Sequence, residues 1–196
     1  LGDVYKRQRL LHSSSAIGVQ LDSLADVITS GLAPAAVLWQ VCLQTEPCWL
    51  PETWKLGYGV FVLAAFSALR LAKFNIDETQ TVEFCGLPTP AGSLLCASLG
   101  MLWQQGAVAL SSDGVLLIAV LTSLLLVSPI RMFALKFHGF GWRGNEVRYL
   151  FLLASIVLII ILRTYAIPVI IVLYIVVSAV RWLCMRSGNP DKAPKA

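Results

Sequence analysis

A bundle of membrane-spanning helices is the fold class that this sequence predicts, and three observations predict it. Of 196 residues, 57% are hydrophobic and only 13% charged, and the mean hydropathy is +0.75, far more apolar than a soluble domain. The apolar residues gather in six runs, where roughly 18–20 residues with few charges suffice to cross a hydrocarbon core about 30 Å thick. The basic residues then sort by side. With runs at about 19–43, 56–72, 89–110, 115–130, 149–163 and 165–183, six crossings that start in the cytoplasm leave every one of the 15 Lys and Arg on the cytoplasmic side except Lys55 and Arg163. That asymmetry is the positive-inside signal. An all-α, polytopic bundle of about six spans is expected. The net charge of +4 says little by itself, and no nucleic-acid partner is expected.

Residues 1–15, LGDVYKRQRLLHSSS, are polar and basic, with no run long enough to span. Ser13, Ser14 and Ser15 suit the cap of a helix beginning near Ala16, because serine oxygens accept from the free amides of a first turn. Gly31 and Pro34 fall in mid-span and predict a bend there. The loop from Thr45 to Lys55 carries Trp49 and Trp54, suited to the outer membrane interface. The second run ends in RLAKFN, residues 70–75, where Arg70 and Lys73 are three apart and are expected to share a face. Residues 76–88 read as a polar loop leading through Gly86-Leu-Pro-Thr-Pro90 into a helix whose N-terminus favours an anion or is simply a start. Residues 131–145 interleave aromatics with bases, as in a segment lying in the headgroup layer. His12 and His138 are isolated. The five cysteines show no C-x-x-C spacing and read as small hydrophobes. The tail, 187–196, is expected to be disordered and cytoplasmic.

The chemistry concentrates in AIGVQLDSLADVITSGLAP, residues 16–34, which holds two acidic residues inside an apolar run. Gly18, Asp22 and Asp26 recur every four residues, so on a helix they form one stripe, with Ser30 and Pro34 beyond. A charged side chain deep in a bilayer is costly, so such a pair either lies near the interface or is compensated by a cation. A metal site is the leading reading, and an intramembrane ion path of a transporter is the alternative from another class.

With Arg9 included, the spacing is R-x8-G-x3-D-x3-D. It resembles the second half of the signature of the CDP-alcohol phosphatidyltransferases, D-x2-D-G-x2-A-R-x8-G-x3-D-x3-D. QLDSLADVITSGLAPA, RLAKFN, GLPTP and SPIRMFALKFHGF resemble the serine-using branch of that family, from Arg9 to at least Leu162. The resemblance implies transfer of the phosphatidyl group of CDP-diacylglycerol to the hydroxyl of L-serine, giving phosphatidylserine and CMP. Another acceptor, glycerol phosphate or inositol phosphate, would keep the same chemistry.

It further implies a two-metal site for Mg²⁺ or Mn²⁺, with Asp22 and Asp26 as ligands and Asp26 as the base that takes the hydroxyl proton. Gly18 would admit the nucleotide, Arg9 would meet phosphate, and Arg70, Lys73 and Asn75 would form the acceptor pocket. A family domain of 9–186, an inner-membrane location with the site facing the cytoplasm, and a homodimer belong to the same expectation. One part departs from the pattern. In the register of Arg9 the motif asks for Asp, Gly and Ala where the chain has Val4, Tyr5 and Gln8. Residues 1–8 are therefore expected to be a segment foreign to the family, with two further helices upstream in the intact protein. The metal site would be half-complete and the chain alone inactive.

Overall fold

The computed structural model describes residues 16–48, 57–76, 83–133 and 145–188. It is built almost wholly of helices. Helix α1 (Ala16–Val27) runs through a π turn (Ile28–Leu32) into α2 (Ala33–Gln44); a 3-10 turn (Gly57–Phe61) leads into α3 (Val62–Ile76); α4 (Thr89–Gln104) and α5 (Ser112–Val127) follow; and α6 (Glu146–Leu162) joins α7 (Ala166–Gly188) through a 3-10 turn (Arg163–Tyr165). Helices thus occupy all six expected stretches. Three continuous stretches, Gln20–Gln44, Gly57–Asn75 and Glu146–Cys184, are long and apolar enough to cross a membrane, and Ser112–Val127 is a shorter apolar helix. The last of the three contains both α6 and α7. Arg163 has φ 47°, and the Phe151 and Tyr174 rings, at nearly equal sequence distances on either side of it, lie 5.8 Å apart. The two helices therefore fold back on each other as a hairpin.

The expected bend at Gly31 and Pro34 takes the form of the π turn. Proline has no N–H to donate and its ring crowds the carbonyl four residues back. The wider turn accommodates both, with the Ala33 N–H bonding to the Ile28 carbonyl, five residues back. The third run stops earlier than its apolar character suggests. Gly106 has φ +67°, and the Ala107 and Gly106 amides bond to the Leu102 and Trp103 carbonyls, closing α4 with a Schellman motif. Helix α5 starts sooner than expected, at Ser112, with the Ser111 hydroxyl accepting from the Gly114 amide at 3.2 Å.

Helices α2, α3, α4 and α5 pack together, α7 lies against α4, and α6 lies against α7. Their shared interior is apolar, formed among others by Leu38, Val41, Val60, Leu63, Cys96 and Leu126. Outward faces are equally apolar, as Leu150, Leu153, Ile156 and Ile160 of α6 show, the mark of surfaces that meet lipid rather than water. Of the cysteines, Cys42 and Cys96 are buried as expected, whereas Cys48 and Cys184 are exposed. Cys48 lies in the connecting segment after α2, and Cys184 sits on the outward flank of α7, where apolar character requires no burial.

One element departs from an all-helical reading. Glu83–Cys85 (β1) pairs antiparallel with Arg131–Phe133 (β2), Phe84 opposite Met132. The start of the segment expected to lie among headgroups is instead internal, since Met132 and Phe133 are buried. The remainder of that segment, with His138, lies outside the described residues. Gly86, at φ +75°, follows β1 directly, and its amide and that of Leu87 bond to the Ile130 and Leu125 carbonyls, both at 2.9 Å. A β-carbon at Gly86 would run into the Leu126 carbonyl. The turn into α4 is thereby laced to the end of α5. Tyr174 of α7 donates to the Phe133 carbonyl at 2.9 Å, and its ring packs edge-on to that of Phe133, which draws α7 to the ribbon.

Candidate active site

The carboxylate stripe lies on α1, at the end of the bundle that also carries the end of α3, the ribbon and the start of α4. Asp22 and Asp26 are exposed there, as is Gly18. Farther along the same helix Ser30 is half-buried and Pro34 buried. The π turn inserts a residue into the four-residue register, so the stripe does not run straight from the carboxylates into the interior.

Helix α3 is antiparallel to α1 and packs closely on it. Gly31 supplies the notch. A β-carbon there would lie 2.9 Å from the Ser67 Cβ and 3.1 Å from the Ala64 Cα, a separation that only glycine permits. Two turns nearer the bundle end, Asn75 Nδ2 donates to Ser23 Oγ at 2.9 Å. Asn75 thus stands beside the stripe, against the neighbour of Asp22.

Arg70 and Lys73 part company. Lys73 is exposed, while Arg70 is 8% exposed and turned inward. Three residues is 300° of turn, enough to put one of the pair in the helix interface and the other on its flank. The Arg70 Nη1 reaches Thr89 Oγ1, the first residue of α4, at 3.5 Å. Tyr174 and Cys85 are its electrostatic neighbours. Its Nε and the Ser67 hydroxyl one turn away are buried with no hydrogen-bond partner among the described residues. A buried guanidinium facing hydroxyls at a helix N-terminus is an environment for an anion. Arg9 lies outside the described residues.

Sequence reasoning did not single out Ser23, Ser67 or Tyr174, whereas Thr89 falls in the GLPTP re-entry that it did. Ser23 carried a usable signal, its place between the two aspartates, and Ser67 lies one turn before Arg70. Tyr174 reaches the site from a distant segment.

The donor set can be tested against a metal. Two exposed carboxylates one turn apart are hard oxygen ligands of the kind Mg²⁺ and Mn²⁺ accept. Among the described residues no third Asp, Glu, His or Cys joins them into a cluster. They fit a divalent cation as part of its ligand shell.

Residues 8–133 match the model of the CDP-alcohol phosphatidyltransferase family. The chain belongs to that family. Among similar proteins are the CDP-diacylglycerol–serine O-phosphatidyltransferases of Mycobacterium leprae, 40% identical over 63% of this chain and 42% of that protein; of Bacillus subtilis, 31% identical over 67% of each; and of Mycobacterium tuberculosis, 33% identical over 95% of this chain and 68% of that protein. The chain therefore spans between two fifths and about two thirds of the length of these relatives. The family uses divalent metal ions. Its apolar helices make the chain a membrane protein.

Proposed function

We propose that this chain carries the catalytic half-site of a phosphatidyltransferase that moves the phosphatidyl group of CDP-diacylglycerol to the hydroxyl of L-serine, releasing CMP. The observation that carries the proposal is the pair Asp22 and Asp26, exposed on successive turns at the bundle end where Asn75 and Arg70 also lie. The names of the relatives support serine as acceptor.

In this reading Asp22 and Asp26 are ligands of Mg²⁺ or Mn²⁺, one cation of a pair whose remaining ligands come from the first half of the motif. Bound there, the cations would neutralise charge on the diphosphate. Asp26 takes the proton of the serine hydroxyl as that oxygen bonds to the lipid-bearing phosphorus and the bond to CMP breaks. Gly18, with no side chain, leaves room for the nucleotide beside the helix. Arg70 holds the serine carboxylate, supported by its burial with its Nε unpartnered among the described residues and by Thr89 at the start of α4. Lys73 and Asn75 border the same acceptor region, and Arg9 meets phosphate.

The family domain extends over 9–186, beyond the matched segment, as the alignment with the M. tuberculosis relative over 95% of the chain supports. Six crossings, the site on the cytoplasmic face of the inner membrane and a homodimer complete the proposal. The sorting of charge supports the orientation: Arg70, Lys73 and Arg131 lie at the carboxylate end of the bundle, and Arg163 lies in the turn at the other.

The test joins an upstream segment bearing D-x2-D-G-x2-A in register with Arg9 and supplies membranes with CDP-diacylglycerol, labelled serine and Mg²⁺ or Mn²⁺. Labelled phosphatidylserine and CMP are expected in equal amounts. Product from glycerol phosphate or inositol phosphate but not from serine overturns the acceptor assignment. Metal-dependent CMP release by the chain without that segment overturns the view that the site is half-complete.

A further inference from the structure

We infer that Ser23 and Asn75 form a positioning pair that sets the roll of α1 and so aims Asp22 and Asp26 to one side; the inference rests on the assignment of those carboxylates to the active site. The roll of α1 is otherwise inherited through the π turn from α2. Among the described side chains of α1 none is buried, and among the described helices α3 is its substantial lateral neighbour. Apolar packing of α1 itself therefore adds little to that inherited rotation.

The pattern of exposure shows which flank meets α3. Ser23 and Val27 are half-buried, whereas Asp22, Leu24, Ala25 and Asp26 are exposed. On that flank Ser23 makes the hydrogen bond with Asn75, at 2.9 Å. At roughly 100° per residue, Asp22 lies about 100° and Asp26 about 60° round the helix from Ser23, both on the same side. Holding Ser23 against α3 therefore points both carboxylates along one flank of the α1–α3 pair. A roll of one residue step toward α3 would bring Asp22 into the helix interface and carry Asp26 across to its other side, about 40° from it; the opposite step would turn both away from α3. Gly31 sets how close the two helices come, and the Ser23–Asn75 bond sets which way α1 faces. The pair acts through the aspartates, so both members are positioning residues.

The test uses the purified chain in nanodiscs, with Mn²⁺ affinity read by electron paramagnetic resonance and backbone protection of residues 20–27 read by hydrogen exchange. Ser23→Ala and Asn75→Ala are each expected to weaken Mn²⁺ binding about threefold to tenfold and to speed exchange in α1. The double variant should be no worse than the weaker single one, since the Ser23–Asn75 bond is lost in all three. Ser23→Thr, which keeps the hydroxyl, should restore both readouts. Additive losses, or unchanged exchange in both single variants, overturn the pairing. Asp26→Asn separates the two readings: if Mn²⁺ affinity ignores it, the metal assignment fails, and the exchange measurements alone then decide whether the pair holds the helix.

Discussion

Gly31→Ala tests the close contact between the π turn and α3. The added β-carbon would sit 2.9 Å from the Ser67 Cβ, 3.1 Å from the Ala64 Cα and 3.2 Å from the Ser67 Oγ. Carbon atoms at optimal separation stand about 3.5–4.0 Å apart, so the π turn and α3 must separate by roughly 0.6 Å or more. Overpacking of this kind costs about 1–3 kcal/mol. For a chain of this size that lowers the midpoint of thermal unfolding by about 2–12 °C. The displacement also reaches the carboxylates. A separation of that size carried along α1 stretches the 2.9 Å Ser23–Asn75 bond to about 3.5 Å or beyond, the limit of a useful hydrogen bond. Thermal unfolding in detergent and hydrogen exchange of residues 20–27 measure the two effects. Ser67→Gly added to Gly31→Ala removes the Cβ and Oγ contacts and should recover part of the loss. A Gly31→Ala protein with the stability and exchange of the parent would refute the close-contact reasoning.

Gly86→Ala forces a β-carbon toward the Leu126 carbonyl at φ +75°. A non-glycine residue in the left-handed region costs on the order of 1–3 kcal/mol, so thermal unfolding should show a loss at the upper end, with faster exchange at the Leu87 amide. In the protein with the first half of the motif restored, Arg70→Ala should raise the KM for serine by about 10- to 150-fold, the equivalent of a charged hydrogen bond of about 1.5–3 kcal/mol. The KM for CDP-diacylglycerol should stay within about twofold, and an equal rise in both would remove Arg70 from the acceptor pocket. In the same protein Asp26→Asn should lower kcat at least about 100-fold, as expected for loss of a general base. Retained turnover would exclude it from that role.

How much of this was legible depends on the range of the interaction that carries it. Helix positions follow from apolar runs and local signals, and helices lie along all six of those runs. Their ends moved wherever a local stop outweighed hydropathy, as Gly106 does at the end of α4. The ribbon was illegible. Three-residue strands at 83–85 and 131–133 are too short for a period of two to register, and their pairing depends on α4 and α5 bringing them together. Arg70 and Lys73 illustrate the same limit in reverse. Spacing predicts a shared face, but the width of the interface with α4 and α7 buries one and leaves the other exposed.

By itself the sequence determined that the chain is a membrane helix bundle, that two carboxylates stand on one stripe of its first helix, and which family the spacing of Arg9, Gly18, Asp22 and Asp26 belongs to. The first two depend on composition and periodicity and the third on the resemblance of a short motif to a family signature, all of them local. Only the tertiary structure decided that Asn75 reaches Ser23, that Gly31 seats α3 against the π turn, and that Arg70 turns inward to Thr89. Each is a contact between segments far apart in the chain. The side of a helix that meets such a partner is chosen by the packing of the whole bundle, which no single stretch of sequence encodes.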